Sequence, residues 1–172
     1  KKQLDFTKKR IFNAGLNEKV NIKFLDYRDL KGKYDSIASI EMIEAVGEKY
    51  LDKYFSTIKE NLKPGGIGAI QSIIIKDELF ERYRKNEDFI QKYIFPGGFL
   101  PSLHSIKDHC KKSGLELTGY NSYGSHYSNT LKEWRGNFAE SWNDISKQGF
   151  DLSFKKIWNF YFSYCEAGFK SK

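Results

Sequence analysis

Cysteine is scarce in this chain: Cys110 and Cys165 are the only two among 172 residues. They lie far apart in helical patterns, so a disulfide framework is excluded and reduced thiols in a cytosolic protein are expected. Histidine is nearly as rare. His104, His109 and His126 show no metal-ligand spacing, and no metal site is expected. There is no zinc-finger spacing, RNP-like strand or basic arm, which argues against nucleic acid as a partner. The longest apolar run, near Ile67–Ile75, is too short to span a bilayer and carries Gln71 inside it. Internal repeats, linkers and low-complexity tracts are absent as well, and the length fits one domain with a core of its own.

What the chain does have is aromatic area and positive charge. Aromatic residues make up 16% of it, with 14 Phe, 11 Tyr and 3 Trp, densest in the last third. That density implies an aromatic-rich core, an apolar ligand cavity, or both. The formal charge of +7 suits an anionic partner such as phospholipid headgroups, nucleic acid or acidic metabolites. Ordinary solvation is the plainer reading, because lysines such as Lys8, Lys9, Lys111 and Lys112 are spread along helices without forming a tight block.

The organising stretch is residues 34–47, YDSIASIEMIEAVG. Ser36–Ile40 reads as a strand buried on both faces of a parallel sheet. It stops at two carboxylates, Glu41 and Glu44, on a turn closed by Gly47. In open α/β sheets ligands bind beyond the carboxyl ends of the strands, so acids placed there point at a ligand. The alternative is that both merely begin the next helix, where its dipole favours acids.

Around this stretch the pattern predicts a helix over 1–14, closed by Gly15 in the left-handed conformation. A strand follows at Val20–Asp26, then an amphipathic helix over 47–62 with Leu51, Tyr54, Phe55, Ile58 and Leu62 on one stripe. Residues 63–66, KPGG, form a turn, and Ile67–Ile75 is the most strand-like run. Residues 77–92 are charged and helical, 93–102 an aromatic loop, 105–113 a short helix, and 115–123 a strand. Two amphipathic helices finish the chain. The first aligns Leu131, Trp134, Phe138, Trp142 and Ile145; the second aligns Phe154, Trp158, Tyr161, Phe162 and Phe169. These stripes are core faces, or one of them lines an apolar tunnel. The order of elements is α/β. Its sheet is thin, the first helix has no capping residue, and the chain opens Lys-Lys without Met, so missing sequence is expected.

Five segments occur in a telling order: LDYRDLKGKYDSIASIEMIEAVGEKY, LKPGG followed by IQSI, YIFPGGFLPS, SHYSNTLKEWRGNF and YCEAGF. Together they resemble the cyclopropane-fatty-acyl-phospholipid synthase family, to which mycolic acid cyclopropane synthases and fatty-acid methyltransferases belong. LKPGG is common to many class I methyltransferases, whereas YIFPGG with YCEAGF is specific. The resemblance implies an α/β fold: a Rossmann-like class I methyltransferase sheet, truncated here, with an added aromatic-rich helical part that binds an acyl chain. It also implies S-adenosylmethionine-dependent transfer of a methyl (methylene) group to the double bond of an unsaturated phospholipid acyl chain. The product would be a cyclopropane or a methyl branch. Two rivals stand beside this reading: a small-molecule N-methyltransferase of the same fold, and a catalytically silent lipid-binding chain. The family's glycine-rich cofactor loop, its ribose-binding strand end and its final strand have no counterpart, so residues 1–172 are expected to be a partial methyltransferase domain.

Residue by residue, the resemblance implies that Asp26 and Tyr27 form the adenine pocket, a carboxylate for the exocyclic amine and a ring for the flat face. An aspartate capping a turn is the other reading of Asp26. Ile40 and Glu41 match the strand end beside the methionyl part of the cofactor, where the family often has Gly at the second position. Glu44 and Tyr127 match residues that hold a bicarbonate ion acting as general base near the methyl group; the bland reading of Tyr127 is a buried hydroxyl bonded to backbone. Gln71 stands where many cyclopropane synthases carry His, and Ala45 also replaces a frequent His. An amide cannot titrate near neutral pH, and the change resembles a branch whose members add methyl without closing a ring. The implied partners are the acyl chain and an anionic membrane surface, held peripherally on the cytoplasmic side by surplus lysines, with a homodimer left open.

Overall fold

The computed structural model describes residues 1–171 and divides into two units, one made of residues 1–72 with 108–115, the other of 73–107 with 116 onward.

In the first unit, α1 (Lys2–Asn13) ends as its sequence predicts. Gly15 takes φ 65°, its N–H reaches the Phe12 carbonyl at 2.9 Å, and Leu16 N–H reaches the Ile11 carbonyl at 3.1 Å. These two bonds satisfy carbonyls that the helix end leaves open, and they need a left-handed residue at the turn. The strand expected at Val20–Asp26 does not form, and Phe24 is 77% exposed. Alternating apolar residues make a strand only when a neighbouring strand pairs with the backbone, and among the described residues the sheet holds only two other segments, residues 34–40 and 62–71.

β1 (Tyr34–Ile40), α2 (Leu51–Asn61) and β2 (Leu62–Gln71) make a parallel β-α-β unit, with Ile37 opposite Gly68 and Ile40 opposite Gln71. The KPGG turn is absorbed as an irregularity in the ladder. Gly66 suits that place, since a Cβ would crowd the carbonyl oxygens of both Asp35 and Lys63 at 3.0 Å. The expectation that β1 is buried on both faces is corrected: Ile37 and Ser39 are half-buried, while Ser36, Ala38 and Ile40 are exposed. Alternate residues point to opposite faces of a strand. Ile37 and Ser39 share one face, and Tyr54 of α2 bonds Ser39 there.

The core of this unit is the predicted α2 stripe. Leu51, Tyr54, Phe55, Ile58 and Leu62 are all buried, together with Ile43. Phe55 packs edge-on against Tyr54 at 5.1 Å and lies parallel to the His109 ring at 5.9 Å, and His109 Nδ1 is 2.7 Å from Asp52 Oδ1. Tyr54 O–H donates to Ser39 Oγ at 2.7 Å, and burial pushes its pKa up to about 12 despite that bond. A tyrosine that is harder to ionise folded than unfolded stabilises fully below its ordinary pKa of about 10. That stabilisation is lost as pH rises toward 12. Urea midpoints of the wild type are therefore expected to fall between pH 9 and pH 12 by more than those of Tyr54→Phe; parallel declines would remove Tyr54 as the cause.

In the second unit the helix expected over 77–92 is broken in two, α3 (Asp77–Arg84) and α4 (Phe89–Tyr93). Asp88 starts the second piece: its carboxylate accepts Gln91 N–H at 2.8 Å, and Gln91 Oε1 accepts Asp88 N–H at 2.9 Å. This reciprocal cap satisfies two helix-end donors and fixes a new start. The aromatic loop after α4 is pinned by Tyr83, whose hydroxyl accepts Leu100 N–H at 3.0 Å, and by Gln91 Nε2 on the Gly98 carbonyl at 3.0 Å. Asp77 accepts His104 N–H where α5 (Leu103–Lys112) begins.

No strand forms over 115–123; that expectation also fails, and these residues are irregular up to Tyr123. The first terminal helix is likewise split, into α6 (Gly124–Glu140) and α7 (Trp142–Ser146), while α8 (Leu152–Lys170) is continuous. α6 and α8 pack together over buried Leu131 and Phe162. Arg135 crosses the seam to Ser163 Oγ at 2.8 Å and to buried Glu166 at 3.0 Å. Because Arg135 occupies the seam, Trp134 one position earlier is turned aside and left 51% exposed, contrary to the stripe expected for it. Among the described residues no helix is long and apolar enough to cross a membrane.

Candidate active site at the end of the parallel strands

Parallel strands end on one edge, so β1 and β2 deliver Ile40 and Gln71 side by side. The next residue, Glu41, continues the ladder with its N–H on the Gln71 carbonyl at 2.9 Å, and its carboxylate accepts Gln71 Nε2 at 3.0 Å. Its φ is +49°, in the left-handed region that side-chain-bearing residues rarely enter. Three of the expected site residues, Ile40, Glu41 and Gln71, are thus brought into direct contact.

Glu44 follows on a short 3₁₀ turn, Ile43–Ala45, anchored by wholly buried Ile43. The turn holds Glu44 half-buried, with one carboxylate oxygen shielded from solvent. Its negative charge contributes to the raised pKa of Tyr54, after burial. Tyr54 in turn meets Tyr27 edge-on at 6.0 Å. Sequence reading placed Tyr54 only in the core stripe. The available signal was its hydroxyl, which a fully buried tyrosine has to spend on a partner.

Asp26 and Tyr27 line a hollow of about 670 Å³ together with Leu25, Leu30, Tyr34 and Met42. Asp26 caps the turn Tyr27–Asp29, accepting Arg28 N–H at 2.9 Å, and its two oxygens also take the Arg28 guanidinium at 2.9 and 2.8 Å. These bonds hold the exposed Asp26 carboxyl down at about 2, so it is an anion throughout the working pH range. Arg28 itself was not singled out from the sequence, although an arginine two residues after an aspartate is the cue for this pairing. A flat ring beside an ionised carboxylate suits adenine, which offers a π-face and an amine donor; Asp26 Oδ1 already takes two bonds from Arg28, while Oδ2 takes one and keeps an acceptor site. One free acceptor oxygen and a ring on the same hollow fit the adenosyl part of S-adenosylmethionine. Tyr127 belongs to the second unit, on α6, where its ring lies 5.3 Å from Phe169 of α8. No cluster of His, Cys, Asp and Glu able to hold a metal ion occurs among the described residues.

Comparison with known proteins bears on this edge of the sheet. The family description "Mycolic acid cyclopropane synthetase" matches residues 1–172. Tuberculostearic acid methyltransferase UfaA1 of Mycobacterium tuberculosis is 40% identical over 170 residues, covering 98% of this chain and 40% of that protein. Cyclopropane-fatty-acyl-phospholipid synthase of Escherichia coli K12 is 34% identical over 154 residues, covering 89% of this chain and 38% of that protein. The chain thus spans about two fifths of these relatives. Among solved structures, mycolic acid cyclopropane synthase CmaA1, complexed with SAH and CTAB, superposes with a TM-score of 0.85 at 23% identity, over 99% of this chain and 62% of that one. The cyclopropane synthase MmaA2 from Mycobacterium tuberculosis follows at 0.81 and 20%, with the same coverage. The fold is that of these synthases, a small parallel sheet with many helices, and the chain belongs to the mycolic acid cyclopropane synthetase family.

Proposed function

We propose that the protein containing this chain is an S-adenosylmethionine-dependent methyltransferase acting on the double bond of an unsaturated phospholipid acyl chain. The observation that carries this reading is the joining of Ile40, Glu41 and Gln71 at one strand end, next to half-buried Glu44, in a chain of this family. Bound there, S-adenosylmethionine supplies an electrophilic methyl group. Asp26 accepts from the adenine amine and Tyr27 packs on the base, while Ile40 and Glu41 border the methionyl part.

Methyl addition to an alkene leaves positive charge on the acyl carbons, and a proton must then depart. Glu44 serves that step by holding an anion, bicarbonate in this reading, and by sharing the proton with it. Tyr127 is a further candidate for the chemistry of methyl transfer, on its place in SHYSNTL. The rest of the catalysis is orientation and electrostatic support of the developing cation. Aromatic side chains of the second unit enclose the acyl chain, where each buried CH₂ contributes about 0.8 kcal/mol. Surplus lysines hold the protein to the anionic cytoplasmic face of the membrane, each well-placed one adding about 1 kcal/mol.

Gln71 favours a methyl branch over a ring. Its amide can orient or donate but cannot take up a proton near neutral pH, and the relative at 40% identity is named a methyltransferase. Mass spectrometry of lipids from cells expressing the complete gene tests both points. Acyl chains heavier by one CH₂ are expected, with the fragmentation of a branch and the carbon–carbon double bond retained, since a methyl is gained and a proton lost without reduction. Methylated small amines with unchanged lipids would select the N-methyltransferase rival. Unchanged lipids with no methylated product would select the silent lipid-binding one.

A further inference from the structure

We infer that Glu41 is a positioning residue for Gln71: a strained backbone aims its carboxylate so that the Gln71 amide stands in a single orientation at the strand end. The inference rests on the reading of Gln71 as part of the active site.

Glu41 is the one residue other than glycine with positive φ among those described; the other seven positions with positive φ are all Gly. A side chain makes this conformation costly, and it persists only where the surroundings over-determine it. At Glu41 two of the bonds that do so come from one residue thirty positions away. Gln71 accepts the Glu41 N–H with its carbonyl and donates its side-chain Nε2 to Oε1. Glycine would adopt the same turn without strain but would offer no carboxylate.

The bond has a definite polarity. An ionised carboxylate only accepts, so the Gln71 nitrogen must face Glu41 and its carbonyl oxygen is turned the other way. A glutamine without such a partner flips between two states that present opposite dipoles. Beside a reacting group that gains positive charge, the difference is acceptor against donor. The pair is exposed, and an exposed hydrogen bond contributes little to stability. This bond by itself thus gives folding little reason to keep a strained side chain here.

Strain and positioning make opposite predictions for one substitution. Glu41→Gly relieves the strain, so thermal unfolding of the complete protein is expected at an unchanged or higher temperature. Turnover is nevertheless expected to fall about fivefold or more, by a larger factor than KM for S-adenosylmethionine rises. Glu41→Gln keeps an acceptor oxygen and should restore most of the turnover. Glu41→Gly combined with Gln71→Ala should be no slower than Gln71→Ala alone. Wild-type turnover in Glu41→Gly beside an impaired Gln71→Ala overturns the positioning role. Turnover and stability falling together, with additive loss in the double variant, assigns Glu41 to structure instead. A raised KM for S-adenosylmethionine at unchanged kcat assigns it to the cofactor, which also overturns the inference. Wild-type turnover in Gln71→Ala removes Gln71 from the site, and the inference falls with that reading.

Discussion

Replacing Glu44 by Gln is expected to slow turnover at least about tenfold while S-adenosylmethionine affinity stays within about twofold. Tenfold corresponds to about 1.4 kcal/mol of transition-state stabilisation, a modest demand on a group that shares a departing proton. The substitution keeps the shape, so buried Ile43 should still anchor the turn. What it removes is the negative charge and the ability to share a proton. The residues proposed for the adenosyl part, Asp26 and Tyr27, line a hollow whose wall does not include Glu44. Calorimetry with the cofactor and initial rates on an unsaturated phospholipid separate the two effects. Equal turnover in the variant would remove Glu44 from the mechanism. A collapse of cofactor affinity would place it in the binding site instead.

Much of this edge of the sheet was legible in the sequence because local rules and tertiary structure agree there. The apolar run ending at Ile40 is a strand, and the stripe from Leu51 to Ile58 is the helix that follows; the strand expected over Ile67–Ile75 starts earlier, at Leu62, and stops at Gln71. Their parallel pairing then brings Ile40 and Gln71 together by register alone. The carboxylate of Glu41 on the Gln71 amide was not legible, because a contact between residues thirty apart depends on that register and on a positive φ that composition does not announce. Val20–Asp26 and Leu115–Tyr123 show the opposite failure. Their alternation satisfies the strand pattern, but a strand is a relation between two segments and neither has a partner among the described residues. The break at Asp88 was within reach, since Asp followed three residues later by Gln is a capping-box signature. Charged residues on both sides masked it by continuing the helical composition.

The largest stability effect is expected at Phe55. Its ring is wholly buried on α2, between the edge of Tyr54 and the parallel face of His109. Phe55→Ala removes the ring from a core in which Leu51, Tyr54 and Ile43 are also at most 1% exposed, so water does not readily fill the gap. Such truncations cost about 3–5 kcal/mol through lost burial plus the cavity left behind. Against a total of about 5–15 kcal/mol for a typical domain, this is a large fraction. The urea midpoint should drop sharply with an unchanged slope, because the area exposed on unfolding barely alters. Phe55→Leu keeps most of the apolar volume and should cost less than about 1.5 kcal/mol. Below its lowered unfolding temperature the Ala variant should keep its KM for S-adenosylmethionine, since Phe55 supports the site only through the folding of α2. A loss under about 1 kcal/mol for Phe55→Ala would mean that α2 does not form the core on which β1 and β2 are held, and the strand-end site would lose its physical basis.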